Sequence, residues 1–582
     1  MVTALAVSPV ASVPGARPRP RWLPPPVVDE SAVAALVEAL KLPSVICRLL
    51  VARGHVSPDE AKRYLRPRLE HLHDASSMLD LDRAVERLVR AVRGGETIMV
   101  HGDYDVDGIC STTIMVRALR ELGGTAVPFI PHRVTDGYDL SMAGVRAAIE
   151  AGARVVLTCD CGTSAREPVG ALCRAGIDVI VSDHHLPGSA LPDCLAVLNP
   201  KRDGCEYPDK NLAAVGIAFK LALAVTRALG GNEGPVLAML DLVALATIAD
   251  IAPLRGENRV MVRYGLKMLA ETRNIGLRAL IRAAGLDGKS LTAGRVGFIL
   301  APRLNAVGRL GHALRGVELL MATTEAAANE IARELEELNR ERQEIDRATL
   351  AEARELVSKI DLDATYGLVL AGEGWHPGVI GIVASRVVED TGRPAVMIAL
   401  DDAGHGKGSG RSIPAFDLHA ALGACSEQLV RYGGHRSAAG VTIERTQLAA
   451  FTRAFNDVAR ARLTADDLVP ELRVDIELPL GEATAELEAL LRHFEPFGMG
   501  NATPTLVSRG VRIGSRPRIL KGEGLKVTLE QDGAAIEAIG WGMAWLAPSL
   551  SEGTVVDVAY RLERDDYRGE HTLQARLSDI RR

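Results

Sequence analysis

Val100-His101-Gly102-Asp103-Tyr104-Asp105-Val106-Asp107-Gly108 puts one histidine and three aspartates within seven residues, the acids at alternating positions. Just before it, Thr97–Val100 reads as a short buried strand; just after it, Ile109–Leu122 reads as a helix. The acids therefore stand on the loop at the carboxyl end of a strand, where open α/β sheets place their ligands. There Asp103, Asp105 and Asp107 can converge on one cation or two. Carboxylate clusters select hard or borderline divalent ions such as Mg²⁺ or Mn²⁺, and an added imidazole moves the preference towards Mn²⁺. Taken alone, the same pattern fits a solvated acidic turn equally well. The rest of the chain decides, because it supplies comparable groups three more times.

From Glu96 to about Asp250 the sequence alternates strand and helix. Strands are expected at Thr97–Val100, Ala126–Ile130, Val155–Thr158 and Val179–Val181, with helices over Ile109–Leu122, Leu140–Ala151 and Glu167–Ala175. That rhythm argues for a parallel sheet with crossover helices. Asp160, in Thr158-Cys159-Asp160-Cys161-Gly162-Thr163, is a second acid at a strand end, though by itself it reads equally as a helix N-cap. Ser182-Asp183-His184-His185 follows another strand, and adjacent histidines point different ways and seldom both serve a core. Asp250 closes the apolar helical run Val236–Ala249, and alone would pass for a helix C-terminal acid. Parallel strands bring their carboxyl ends to one edge. Five aspartates and at least one histidine would then surround a two-metal centre suited to phosphoester hydrolysis.

A chain of 582 residues is expected to hold three or four domains at ~150 residues each. No uninterrupted apolar run approaches the ~20 residues of a membrane helix, and the N-terminus lacks the pattern of a signal peptide. A cytoplasmic protein with no membrane partner is expected. None of the eight cysteines forms a CxxC pair, which argues against structural zinc, and a reducing compartment argues against disulfides. A net charge of −6 argues against indiscriminate nucleic-acid binding but leaves room for a local basic groove.

Residues 1–28 are proline-rich and read as a disordered or extended lead-in, and 29–93 as a helical region. A long helix is expected from about Thr324 to Ile360. Ile331, Leu335, Leu338, Ile345 and Leu356 form its apolar stripe, and it connects two lobes. A second α/β domain follows, with glycine-rich stretches carrying Ser, Arg or His at their tips: Ala384-Ser385-Arg386, Lys407–Ser412 and Gly433-Gly434-His435. Glycines of this density permit close approach to phosphates. Beyond Leu472 the chain turns β-rich, entered through the turn-rich Pro496–Asn501. Arg509, Arg512, Arg516, Arg518, Lys521 and Lys526, with Trp541, Trp545 and Tyr567, suit a platform for single strands.

HGDYDVDG, TCDCGT, SDHH and ATIADIAPL, in that order, resemble the four motifs of the DHH phosphoesterase superfamily. Within it they are most similar to the RecJ family of bacterial single-stranded-DNA-specific 5′→3′ exonucleases. APRLNAVGR (301–309), the GGH at 433–435 and PFGMGN (496–501) extend the likeness. The resemblance implies two Mn²⁺ or Mg²⁺ ions held by Asp105, Asp107, Asp160, His184 and Asp250, with His101 matching the motif-one histidine. Asp103 is the extra acid of RecJ-like versions. His185 would face the scissile phosphate and Asp183 would orient His184. Arg303, Asn305 and Arg309 would contact substrate, and Ser385, Arg386, Arg411, Gly434 and His435 would bind DNA phosphates, including the 5′ end. The implied fold is α/β: a DHH domain (94–320) and a DHH-associated domain (362–465) joined by a long helix (321–361), with a C-terminal OB-fold barrel (470–582). The implied function is release of mononucleotides from the 5′ end of single-stranded DNA in repair and recombination, beside a helicase and a single-strand-binding protein. Two rivals remain. A relative acting on short oligonucleotides or nucleotide phosphates is disfavoured by the module after Leu472. A catalytically silent DNA-binding relative is disfavoured by the complete ligand set.

Overall fold

Apolar runs such as Ile98-Met99-Val100 and Val155-Val156-Leu157 suit strands covered on both faces. They form the centre of a five-stranded, all-parallel sheet in a computed structural model that describes residues 19–582 apart from 134, 138, 189 and 566–571. The strand order is Thr125–Phe129, Thr97–Gly102, Val155–Cys159, Asp178–Ser182, Ala196–Leu198. Side chains alternate across it. Ile98, Val100, Leu157 and Ile180 pack into the large core with the helices Val106–Glu121, Ala214–Ala228 and Leu240–Ala249. Met99, Val156, Val179 and Val181 face a second core with the helices Met142–Glu150 and Arg166–Arg174. This sheet belongs to a unit made of Ser57–Gln343 and Arg492–Thr503; the remaining described residues form the other unit.

The two larger sheets of the other unit follow different logic. A five-stranded sheet runs Arg431–Gly434, Ala438–Glu444, His405–Arg411, Ala395–Leu400, Leu368–Glu373, parallel only in its last pair. Beyond Leu472 the strands Leu506–Ile513, Val555–Asp565, Thr572–Arg581, Ala534–Gly540 and Gly524–Gln531 pair in sequence. Gly524–Gln531 then returns to Leu506–Ile513 through Arg512↔Glu530 and Ile513↔Leu529. Closure of these five strands removes the exposed edges, as an OB-fold does. The helix Glu325–Ser358 carries the chain from one unit into the other, with Ile331 and Leu335 buried on its apolar stripe.

Four sequence expectations need correction. Within the supposed lead-in, Arg21–Leu23 forms a strand parallel to Glu471–Arg473, fixed by Trp22 Nε1 donating to Asp579 at 2.7 Å; residues 1–18 lie outside the described residues. The helix after the acidic loop starts at Val106, because Asp105 caps it, so Asp107 stands in its first turn. The run Val236–Ala249 is two helices, Gly234–Ala238 and Leu240–Ala249. PFGMGN belongs to the unit of the parallel sheet rather than opening the barrel. Among the described residues no helix is long and apolar enough to cross a membrane.

Candidate metal centre

Asp105 ends the loop as an N-cap, its Oδ1 accepting from the backbone of Asp107 (2.9 Å) and Gly108 (3.1 Å). The loop folds so tightly over the helix start that a Cβ on Gly108 would fall 2.3 Å from the Asp103 carbonyl oxygen. The Asp107 carboxylate spans to the start of the helix Ala214–Ala228, accepting from Ala214 N (2.9 Å) and Val215 N (2.8 Å). A helix N-terminus favours that negative charge.

Two further loops meet this one. Asp160 sits in the left-handed region at φ 67°, an uncommon conformation for a residue with a Cβ and a mark of functional strain. Asp183 accepts from the backbone of His184 (2.7 Å) and His185 (3.1 Å), from Thr163 N (3.0 Å), and from the His185 ring at Nδ1 (2.7 Å). Burial opposes charge on both partners, yet their ion pair holds Asp183 well below the usual carboxylate range and raises His185 to about 9. The His184 ring, by contrast, is lowered to about 3, first by burial and then by His185, and is neutral. It bonds the Leu212 backbone, so its Nε2 carries a lone pair.

That lone pair faces Asp160 Oδ1 at 3.2 Å and Asp250 Oδ2 at 3.8 Å. Neither His184 Nε2 nor Asp160 Oδ1 has a hydrogen-bond partner among the described residues. Two buried acceptors this close repel unless a cation lies between them. Around them the carboxyls of Asp103, Asp107, Asp160 and Asp250 are all raised, by burial first and then by neighbouring aspartates, Asp107 to about 7. Three ligand sets each converge within 4.8 Å: Asp107, His184 and Asp250; Asp103, Asp105 and Asp160; and Asp160, His184 and His185. The donors are hard oxygens with an imidazole, which fits Mn²⁺ or Mg²⁺.

Comparison with known proteins agrees with this geometry. The DHH family N-terminal domain matches residues 97–247, the DHHA1 domain 363–461 and the RecJ OB domain 474–579. The single-stranded-DNA-specific exonuclease RecJ of Bacillus subtilis is 35% identical over 95% of this chain and 70% of its own length. Its Escherichia coli namesake is 35% identical over 93% of this chain and 96% of its own. The chain belongs to the RecJ family. The crystal structure of Thermus thermophilus RecJ with Mn²⁺ has a TM-score of 0.83 at 33% identity, covering 97% of this chain and 80% of that one. The same protein with Mg²⁺ gives 0.77 at 31% identity, covering 97% and 79%.

Several residues expected from the RecJ motifs do other work. His101 is not in the converging sets: its ring is buried against Phe129 (5.1 Å), with Nδ1 3.5 Å from Cys161 Sγ. Asp183 orients His185, not His184, because the strand-end backbone turns only the second ring back onto the carboxylate. Asn305 accepts from Val106 N at 3.3 Å, and a Cβ on Gly308 would meet the Tyr104 carbonyl at 2.1 Å, so the 301–310 helix buttresses the acidic loop. Arg303 is held by Glu336 and the Ile299 carbonyl rather than presented to phosphate. Arg303→Met is therefore expected to cost about 1–2 kcal/mol of stability, the loss of a charged hydrogen bond, in urea unfolding, with KM for DNA within about twofold of the parent, as for an interaction made by neither substrate nor transition state. Arg309 lies beside Tyr104.

In the other unit, Ser385 Oγ bonds Gly381 O (3.3 Å) and Arg386 pairs with Asp346 (3.1 Å). Arg411 donates to Ser409 Oγ (3.1 Å), and His435 N donates to Ala438 O (2.8 Å) beside Gly434 at φ 135°. In the barrel, Trp541 and Trp545 are each 42% exposed, with Arg576 5.7 Å over the first. Arg509 and Lys526 of the basic run are engaged by Glu477, Asp557 and Glu537. Tyr567 lies outside the described residues.

Four residues near the centre escaped the sequence reading. Lys201 Nζ donates to the His184 carbonyl at 2.5 Å, and Asn199 Nδ2 to the His185 carbonyl at 2.8 Å. Asp139 accepts from Gly162 N at 2.6 Å, and the Arg133 guanidinium lies 4.6 Å over the Tyr104 ring. Asn199 and Lys201 follow the fifth parallel strand, so the strand-end rule that found Asp160 also points to them.

Proposed function

We propose that this chain is a Mn²⁺- or Mg²⁺-dependent exonuclease specific for single-stranded DNA, hydrolysing from the 5′ end to release mononucleotides. The observation that carries the reading is the pair of opposed acceptors, Asp160 Oδ1 and His184 Nε2, inside a ring of carboxylates. Relatives named as single-stranded-DNA-specific exonucleases, similar along nearly the whole chain, supply the substrate class. Asp107, His184 and Asp250 would hold one ion, and Asp103, Asp105 and Asp160 the other. When bound, two such ions polarise a water and offset charge on the phosphoryl oxygens. His185, kept protonated by Asp183, offers its Nε2–H to a phosphate oxygen. Lys201 and Asn199 fix the main chain of the histidine pair, so that neither ring drifts as charge builds.

The DHH domain (94–320) would do the chemistry. The DHH-associated domain (362–465), through Ser385, Arg386, Arg411, Gly434 and His435, would bind phosphates, and the barrel (470–582) the trailing strand. The enzyme would act in the cytoplasm in repair and recombination, alongside a helicase and a single-strand-binding protein.

The test is hydrolysis of 3′-labelled single-stranded DNA with Mn²⁺, Mg²⁺ or chelator, beside blunt duplex of the same sequence. The expected result is a metal-dependent ladder from the single strand, with the duplex spared. Cleavage confined to di- and trinucleotides would replace the reading with a short-substrate phosphoesterase. DNA binding with no cleavage of anything would make the chain a binding protein.

A further inference from the structure

Residues 492–503 are a twelve-residue excursion: the chain on either side belongs to one unit, while these residues pack with the unit of the metal centre. They meet the loop that carries Asp250. Leu254 N donates to Met499 O at 2.8 Å, and Arg255 Nε to Gly500 O at 2.5 Å. Gly498 lies so close that a Cβ there would fall 2.7 Å from Leu254 Cδ1. The excursion is itself pinned. The buried Asn501 donates to the carbonyls of Phe494 (2.8 Å) and Pro496 (2.7 Å) and accepts from Tyr64 OH at 2.7 Å. Arg259, stacked 4.1 Å from the Tyr64 ring, donates to Phe494 O at 2.8 Å.

Between Asp250 and this contact stands Ile251, in the left-handed region at φ 59°. A β-branched residue there is a true outlier, and it persists only when its surroundings impose it. The Ile251 side chain is 63% exposed, so its own packing does not impose it. Upstream, the end of the helix Leu240–Ala249 imposes it: Asp250 N, Ile251 N and Ala252 N are bonded to Ala246 O, Ile248 O and Thr247 O, a helix end whose closing residue is left-handed. Downstream, Ala252 is buried in the large core, Asn258 Nδ2 donates to Pro253 O at 3.1 Å, and Leu254 and Arg255 are bonded to Met499 and Gly500.

We infer that the Pro496–Asn501 turn is a strap that holds the strained Asp250–Arg255 loop and thereby sets the Asp250 carboxylate against Asp107 and His184. This rests on Asp250 being a metal ligand. Residues of the strap are positioning residues: they touch no reacting atom.

The test is Mn²⁺ titration calorimetry on the full chain, with thermal unfolding in chelator to confirm folding. Gly498→Ala is expected to weaken the Asp250-dependent Mn²⁺ site about tenfold or more, the size of effect seen when supports of metal ligands are removed. Leu254→Ala in the same chain removes the clashing Cδ1 and should restore most of that loss. Arg255→Met, at an exposed position, should weaken the site about threefold, one lost hydrogen bond's worth. It serves if Gly498→Ala fails to fold. Parent-like affinity in Gly498→Ala, or in Arg255→Met where that stands in, would overturn the strap; so would a loss that Leu254→Ala does not relieve. Asp250→Ala, run in parallel, should lose the site. If it binds Mn²⁺ like the parent, the metal assignment fails instead.

Discussion

Asp160→Asn is expected to lower the rate of single-strand hydrolysis by about 10³-fold or more at saturating Mn²⁺, at least the size of effect seen when one electrostatic group is removed from a preorganised site, and yet to stabilise the metal-free protein. Asp160 belongs to the set with Asp103 and Asp105 and also lies 3.2 Å from His184, a member of the set with Asp107 and Asp250. A neutral amide of the same shape removes charge from both. Asparagine also tolerates the left-handed backbone at this position, so the loop should keep its form. Without metal the wild-type carboxyl is buried among like charges and faces the His184 lone pair. The amide ends part of that repulsion, and its NH₂ can donate to Nε2. Chelated Asp160→Asn should therefore unfold at a higher temperature than the chelated parent, while still binding single-stranded DNA. A rate within tenfold of wild type would remove Asp160 from the metal centre.

Such a trade of stability for function is visible in the sequence only in part. The carboxyl ends of three strands were legible because strand, loop and helix each carry a local signature: Asp103, Asp105 and Asp107 after Val100, then Asp160 and Asp183, all follow short apolar runs. Asp250 was not legible alone. It is a helix C-cap by local chemistry, and only the meeting of loops gives it a second use. The histidine pair shows a finer limit. Sequence places His184 and His185 side by side, but which ring returns to Asp183 depends on the backbone turn after Ser182. The resemblance implied Asp183 as the partner of His184, where the geometry pairs it with the ring of the next residue.

Long-range partners were hidden for a plainer reason. Arg303 has a motif suited to phosphate, yet its charge is taken by Glu336, 33 positions later on a helix whose facing could not be fixed from its own stripe. The strap meets the Asp250 loop across more than 240 residues, and no periodicity links PFGMGN to ADIAPL. Its glycines read as a turn, which is what they make; what the turn touches is a property of the folded unit. The strand Arg21–Leu23 was masked by the prolines around it, since a three-residue parallel strand has almost no pattern to show.

The second large effect concerns the protein without its metal. Asp107 is held at about 7, and Asp103, Asp160 and Asp250 are raised as well, all by burial first, whereas an unfolded aspartate titrates near 4. His185 is raised to about 9. Asp107 binds more protons folded than unfolded between about pH 4 and 7, and His185 between about pH 6.5 and 9, so stability falls with pH through the carboxyl in the first window and through the imidazole in the second; the other raised carboxyls act in the same sense above about pH 4. The two histidines lowered by burial, His101 to about 4 and His184 to about 3, act in the opposite sense only below about 6.5, where unfolded histidine becomes charged. The window above 6.5 is therefore unopposed by them. Across pH 6.5 to 9 the loss of the His185 proton would cost the metal-free fold on the order of 3 kcal/mol, while most of the cost of ionising Asp107 falls below pH 6.5. In chelator the unfolding midpoint should drop markedly from pH 6.5 to pH 9. Saturating Mn²⁺ should flatten or reverse that slope, because the cation takes the place of the protons and binds more tightly as they leave. A chelated protein equally stable at both ends would mean that Asp183 does not hold His185 charged as their 2.7 Å contact requires, and the role given to His185 would lose its physical basis.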